Sequence, residues 1–198
     1  VHNHEEAAYI YAQLDLPEVD AGVKENAYQA LLRAGDSETD NIESTGFKWQ
    51  KNPYVQPRWG ASMGHPDVTT LLRAHQVSQD SKYLNSAILG LQFTAGANPD
   101  NLVFTTGLGA RSPQDPFISD VHATGSSIIP PGITLYGPFD YGSKGYHGAW
   151  ESFKEATSPA IRDWPVTENY FDIYNLVPVT EFTMHQTMAP TSYAFGYL

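Results

Sequence analysis

The sequence contains no cysteine and no long apolar run. The absence of cysteine excludes disulfide bonds and thiolate-bound metals, and it is compatible with an oxidising or a reducing compartment. No run of roughly 18 apolar residues occurs, so the sequence predicts no membrane-spanning helix.

Basic residues are also scarce. Lysine and arginine total 11 against 22 acidic residues, which gives a formal net charge of −11. Because nucleic acid and anionic lipid would repel such a surface, neither is expected as a partner. Neutral carbohydrate remains open. With 198 residues and 41% hydrophobic content, the chain can bury a core as one domain.

Two helices are predicted near the start of the chain. Residues 4–14 are almost continuously apolar, which indicates a buried helix. Residues 18–34 carry apolar side chains at helical spacing, and we expect Gly35 to end this second helix. The polar, acidic stretch 37–56 then predicts a surface loop or hairpin.

A second helical pair is predicted further along. Pro66 suits a first helical turn, and Val68, Leu71 and Leu72 follow at helical spacing. Ser81 is a candidate N-cap for the next helix, which Gly96 is expected to end. Helical hairpins in this order are typical of an α/α barrel or solenoid.

Histidine and glutamate cluster at the start of the chain, at His2, His4, Glu5 and Glu6. A metal site is one interpretation, but these residue types are more typical of a solvated helix start. We therefore predict no metal site, and no cofactor for the chain.

Residues 98–137 predict a long ordered loop rich in glycine, proline and polar side chains. Loops of this length are uncommon in compact domains unless they have a function. Gly107 and Gly109 permit a positive φ or a close backbone approach. The loop is therefore the candidate wall of a functional site.

Three segments resemble, in order, motifs of glycoside hydrolase family 9, the cellulase-like enzymes. The first is Asn98-Pro99, an apolar run, Thr106-Gly107-Leu108-Gly109 and Ser112-Pro113-Gln114-Asp115-Pro116; the second is Pro131-Gly132-Ile133 with Gly137-Pro138; the third is Arg162-Asp163-Trp164-Pro165-Val166-Thr167-Glu168. The third resembles the segment that carries the family's catalytic acid.

The resemblance implies an all-α fold of the (α/α)6 barrel type. The family's complete barrel is longer than this chain, which starts at Val1 without a signal-like segment. We therefore expect residues 1–198 to be the C-terminal portion of a catalytic domain whose N-terminal part is a possible partner. The resemblance also implies a secreted or periplasmic protein.

Glu168 is the candidate general acid, since glycoside cleavage needs one carboxylic acid and a second carboxylate that activates water. We predict that Thr167 caps a helix that starts at Glu168, runs through Tyr174 and is kinked or ended by Pro178. Residues 191–198 show no clear period. No convincing copy of the family's water-activating aspartate is present. Asp20-Ala21-Gly22 resembles the start of that motif but lies in a predicted amphipathic helix.

The resemblance also implies a sugar cleft. Its candidate substrate-binding residues are Trp59, Arg111, Asp120, His122, Tyr136 and Tyr170. Where the family has Pro-His-His-Arg, this chain has Pro116-Phe117-Ile118-Ser119, which indicates a shifted substrate.

Three functions remain open at this point. The first is an inverting glycosidase acting on β-linked glucan or glucosamine oligosaccharides. The second is a catalytically inactive homologue or carbohydrate-binding fragment. The third is a helical scaffold whose loop matches are accidental.

Overall fold

The computed structural model describes residues 4–49, 64, 66–138 and 157–198, with Arg162 described by its backbone alone. Its α-helices are α1 (Glu5–Gln13), α2 (Ala21–Ser44), α3 (Thr69–Ser78), α4 (Ser81–Thr94), α5 (Ser119–Thr124), α6 (Val177–Thr180) and α7 (Ala189–Tyr197). Short 3-10 helices cover Ile161–Asp163 and Val166–Glu168, and a π-helix covers Met184–Met188. The predicted all-α class is confirmed.

The first four helices form the main helical layer. Helix α2 contacts α1, α3 and α4, while α3 also contacts α4 and the C-terminal helix α7. The largest core cluster lies where these helices meet; its buried members are Ile42, Val68, Leu71, Leu72, Ala74, Tyr83, Ala87, Leu91 and Ala194. The predicted apolar faces of α3 and α4 are therefore in the core. None of the helices in the described ranges combines the length and apolar character needed to cross a bilayer.

Helix α2 does not end at Gly35, and the predicted stop there is wrong. The helix continues to Ser44, so the first part of the predicted acidic loop is helical. A Cβ at Gly35 would lie 2.8 Å from the Cβ of Ala74 and 2.8 Å from Cε1 of Tyr83. Gly35 therefore serves the close approach of α2 to α3 and α4. Asp20 is the N-cap of α2, where its Oδ1 accepts from the amide of Val23 at 2.9 Å.

Helix α1 is not the buried helix that its sequence predicts. It has no buried residue, and Ile10 is 53% exposed. Nearby, Leu16 is 58% and Val23 is 52% exposed. Because α1 packs mainly on α2 and α3 among the described elements, much of its surface stays in contact with solvent.

Other helix boundaries also differ from the sequence prediction. Helix α3 begins at Thr69, after Pro66, and the N-cap of α4 is Asp80, whose Oδ1 accepts from the amide of Lys82 at 2.9 Å. Gly96 has φ +111° just beyond α4, as expected of a helix stop. The C-terminal residues, which show no apolar period, form α7 directly after the π-helix.

The close packing at Gly35 makes a testable prediction. Gly35→Ala should lower the free energy of unfolding by about 1–3 kcal/mol, because the new methyl group overlaps Ala74 and Tyr83. Helix propensity alone predicts the opposite sign, roughly 1 kcal/mol of stabilisation. Urea unfolding measures the difference.

Gly196→Ala is the matched control, since Gly196 lies in α7 and a Cβ there would meet nothing within 4 Å. This variant should be neutral or slightly stabilised. A Gly35→Ala protein as stable as the Gly196→Ala protein would contradict the packing role of Gly35.

Candidate functional site

The long loop leaves the C-terminal end of α4 and begins with a turn closed by Asn98. Asn98 is buried; its Nδ2 donates to the carbonyls of Phe93 at 2.7 Å and Leu102 at 2.8 Å. Its Oδ1 accepts from the amide of Leu102 at 3.2 Å. One side chain thus satisfies the backbone groups that an irregular turn would otherwise bury unpaired.

The loop then folds back on itself through isolated β-bridges. Ala95 pairs with Val103, and Thr105 pairs with Thr134. Two glycines make the fold-back possible: Gly107 and Gly109 both have φ +71°. A Cβ on Gly109 would lie 2.5 Å from Cγ2 of Val103, so the predicted need for glycine is confirmed here.

Two aspartates attach this loop to the C-terminal segment. Asp172 accepts from the amides of Gln114 at 2.6 Å and Asp115 at 3.0 Å, and from the hydroxyl of Tyr170 at 3.0 Å. In return, Oδ2 of Asp115 accepts from the amide of Tyr174 at 2.9 Å. We call this arrangement of Asp115 and Asp172 the carboxylate clamp. Charge-assisted bonds of this kind are stronger than neutral ones.

Beside the clamp lies a cleft of about 460 Å³, which we call the Asp100 cleft. Its lining residues are Asp100, Leu102, Ala110, Arg111, Ser112, Gln114, Tyr170 and Asp172. Tyr170 is held by an edge contact to Phe104, with ring centroids 5.4 Å apart. Arg111 donates from Nη1 to the backbone carbonyl of Asp100 at 2.9 Å. The structure therefore brings the predicted residues Arg111 and Tyr170 together.

Asp100 is the acid that the sequence analysis missed. Burial, followed by the negative charge of Glu168, raises the pKa of Asp100 to about 6, against the opposing charge of Arg111. Its Oδ2 is buried and has no hydrogen-bond partner among the described residues. In the sequence, Asp100 is marked only by its position at the start of the loop. Glu168 is far away along the chain, and its effect on Asp100 arises from the fold.

Glu168 is not at a helix start, and that prediction is wrong. It is the last residue of the 3-10 helix Val166–Glu168, and its side chain is exposed. The predicted helix through Tyr174 does not form, because Tyr170 and Asp172 are held against the loop instead. Glu168 does not line the Asp100 cleft, although its charge acts on Asp100.

The other predicted substrate contacts lie elsewhere. Asp120 and His122 are exposed on α5, where the His122 ring stacks on Tyr174 at 3.9 Å between centroids and 10° between planes. Tyr136 is only 2% exposed, and its hydroxyl donates to Oε1 of Gln186. Trp59 lies outside the described residues.

Glu181 is a second acid that the sequence analysis did not select. It is half-buried, directly after α6 and shortly before the π-helix. Its backbone carbonyl accepts from the amide of Tyr136 at 2.9 Å, which places it against the turn that contains Gly137. Because π-helices occur frequently at functional sites, this position is a candidate for chemistry. No cluster of three or more potential metal ligands occurs within the described residues.

Comparisons with known proteins show the fold alone. No protein-family model matches the sequence, and no curated protein matches it significantly. The chain is similar in structure to a metagenome-derived glycoside hydrolase family 9 endoglucanase, with a TM-score of 0.72, 20% identity and 97% of this chain covered against 32% of that one.

Two further solved structures give the same result. Endoglucanase J30 of family 9 has a TM-score of 0.75 at 21% identity over 96% of this chain and 33% of its own. A single mutant of a thermostable endoglucanase from Alicyclobacillus acidocaldarius has a TM-score of 0.75 at 20% identity, over 96% and 34% respectively. The fold is that of part of an (α/α)6 barrel, and this chain spans about a third of these proteins' length.

The carboxylate clamp predicts a stability loss for Asp172→Asn. Both oxygens of Asp172 accept hydrogen bonds, and in asparagine an NH2 group replaces one of them. This group would face another donor, so the free energy of unfolding should fall by about 1–3 kcal/mol. Hydrogen exchange should accelerate at the amides of Gln114 and Asp115 and stay unchanged within α4. Asp120→Asn is the control in the same loop; equal exchange rates in both variants would refute the clamp.

The buried carboxyl of Asp100 predicts a pH-dependent gain in stability for Asp100→Asn. Because the pKa is raised from 3.8 to about 6, the stabilising effect of the proton is fully present below pH 3.8 and is lost as the pH rises through about 6. Asparagine stays neutral, so the variant should be more stable by about 1 kcal/mol near pH 7.5, after allowance for solvent screening. Near pH 3.5 the two proteins should unfold alike in thermal scans. A variant less stable than the parent near pH 7.5 would contradict this account.

Proposed function

We propose that this chain forms the C-terminal part of a catalytic domain of the glycoside hydrolase family 9 type. The proposed reaction is inverting hydrolysis of β-linked glucan or glucosamine oligosaccharides. Two features support it: a barrel-type fold like that of the family's endoglucanases, and a first motif segment, residues 98–116, that the carboxylate clamp holds beside a cleft. We also propose the secreted or periplasmic location implied by the resemblance.

Glu168 is the proposed general acid, which would protonate the leaving oxygen. Its support is electrostatic, since its charge acts on Asp100 in the wall of the cleft. In an inverting mechanism the base carboxylate stands roughly 6.5–9.5 Å from the acid, with the attacking water between them.

Glu181 is the competing candidate for the same role. Glu181 is half-buried beside the Gly137 turn and the π-helix, so its side chain has less freedom to move than the exposed side chain of Glu168. A constrained carboxyl is better suited to proton transfer, because general acid catalysis requires the donor within hydrogen-bond reach of the leaving group.

The base is proposed to come from a part of the domain outside this chain. The carboxylates of Asp115 and Asp172 accept backbone amides in the clamp, and we assign them to holding the loop. The chain by itself is therefore expected to bind saccharide without hydrolysing it.

A second candidate function is carbohydrate binding without catalysis. Phe117 and Ile118 stand where the resemblance predicts ring donors, and Phe117 packs on Tyr174 with centroids 5.0 Å apart. An apolar contact at this place removes polar groups that would orient a sugar. The fold likeness speaks against the third interpretation, in which the motif matches are accidental.

Paired substitutions test the acid assignment in a protein where this chain is joined to a segment that completes the barrel. Glu168→Gln should lower kcat/KM by about 10²-fold or more on substrates with poor leaving groups, and far less on aryl glycosides with good ones. The reason is that good leaving groups depart without protonation. Steady-state rates on both substrate types give the ratio.

Glu181→Gln is the matched control, with the same chemical change. If the leaving-group dependence appears in Glu181→Gln and is missing from Glu168→Gln, the acid is Glu181. Saccharide binding with no turnover in the parent protein would select the second candidate function.

A further inference from the structure

We propose that Tyr136 is a positioning residue that fixes the direction of the Glu181 side chain. It does so through its backbone amide at Glu181 itself and through its hydroxyl at the π-helix that follows. The inference rests on the proposed function for its reaction, and of the two acid candidates it concerns Glu181.

The loop supplies hydrogen bonds at the point where α6 ends and Glu181 follows. The last carbonyls of a helix have no partner within the helix. Here the amide of Gly137 donates to the carbonyl of Val179 at 3.0 Å, and the amide of Tyr136 donates to the carbonyl of Glu181 at 2.9 Å. These two bonds fix the main chain just before Glu181 and at Glu181 itself.

The π-helix supplies a second fixed point directly after Glu181. Its N-cap is Thr183, whose Oγ1 accepts from the amide of Gln186 at 3.1 Å. The amide of Thr183 donates to Oγ1 of Thr187 at 3.1 Å. Since Thr183 is two residues after Glu181, a single residue separates the acid from this cap.

The hydroxyl of Tyr136 reaches that second fixed point. It donates to Oε1 of Gln186 and lies 3.5 Å from Oγ1 of Thr183. Tyr136 is itself 2% exposed, so the surrounding packing holds its ring in place. One buried residue therefore contacts the chain on both sides of Glu181, and its hydroxyl is the group that contacts the C-terminal side.

The position of Glu181 makes these contacts important for proton transfer. Glu181 is the C-cap of α6 and has extended backbone, with φ −76° and ψ 163°, so it lies between two helical turns. A general acid must come within hydrogen-bond reach of the leaving oxygen. A misplacement of about 1 Å can cost a factor of about 10² in rate. The contacts that Tyr136 makes at both turns are therefore expected to control how well Glu181 can act.

The direct test observes the Glu181 side chain in the 198-residue chain by nuclear magnetic resonance. Three-bond couplings across its χ1 angle should show one rotamer in the parent protein. They should show averaging over several rotamers in Tyr136→Phe, which removes only the hydroxyl. Gln186→Met removes the acceptor of the same hydrogen bond and should have the same effect, so the test does not depend on one variant.

Tyr83→Phe is the matched control for the tyrosine substitution. Tyr83 is also buried, and its hydroxyl donates to Oδ1 of Asp36 at 2.9 Å in the helical layer. Loss of this hydroxyl should leave the Glu181 couplings and the reaction rates unchanged.

Kinetics of the barrel-completed protein test whether this positioning matters for the reaction. On substrates with poor leaving groups, Tyr136→Phe should lower kcat about tenfold with KM unchanged. Aryl glycosides with good leaving groups need little protonation, so their rates should fall less than about twofold. In a Glu181→Gln background, Tyr136→Phe should have no further effect, because Tyr136 acts through Glu181.

The two measurements separate this inference from the proposed function. Glu181 couplings that are the same in the parent, Tyr136→Phe and Gln186→Met would overturn the inference and leave the proposed function standing. An equal loss on both substrate types, or leaving-group dependence in Glu168→Gln but not in Glu181→Gln, would do the same. A parent protein without turnover would overturn the proposed function, whereas a single Glu181 rotamer that both variants lose would still support the inference.

Discussion

The carboxylate clamp is the interaction on which the site depends. The loop after α4 forms isolated bridges, and the amides of Phe117, Tyr136 and Gly137 donate to backbone carbonyls of the C-terminal segment. The clamp adds side-chain bonds between the same two segments. Asp172 provides these by accepting from Gln114 and Asp115, and Asp115 reciprocates at Tyr174. Since each bond joins a carboxylate to a backbone amide, the clamp fixes the main chain directly and needs no helix or sheet in either segment.

The clamp also determines which acids remain for chemistry. Asp172 accepts from two backbone amides and Asp115 from one, so both carboxylates hold the main chain in place. Of the other acids, Asp100 is half-buried in the cleft wall, Glu168 is exposed and its charge acts on Asp100, and Glu181 is half-buried against the turn at Gly137. Carboxyl groups that lie close together in different environments can take different roles in one site, such as acid, base or ligand binding.

Apolar periodicity predicted the fold where helices pack on one another and failed where other contacts dominate. Helices α3 and α4 follow their spacing because their apolar faces meet in the core. Gly35 carries a stop signal, yet its missing side chain is required where α2 approaches α3 and α4. Helix α7 was missed because threonine, serine and glycine interrupt its apolar positions, and the helix predicted at Glu168 is replaced by clamp contacts. Neither the close helix approach at Gly35 nor the clamp contacts can be read from the local sequence.

The loop was predictable from its glycines and from its resemblance to the family 9 motif. The raised pKa of Asp100 was not, because it arises from burial and from the charge of Glu168, which is distant in sequence. A half-buried carboxyl with an unsatisfied oxygen weakens the fold at neutral pH, and asparagine at this place would avoid the charge. Strongly perturbed carboxyl groups in a cleft are more often functional than structural. Arg111 is a cation beside this one, but its Nη1 donates to the backbone carbonyl of Asp100.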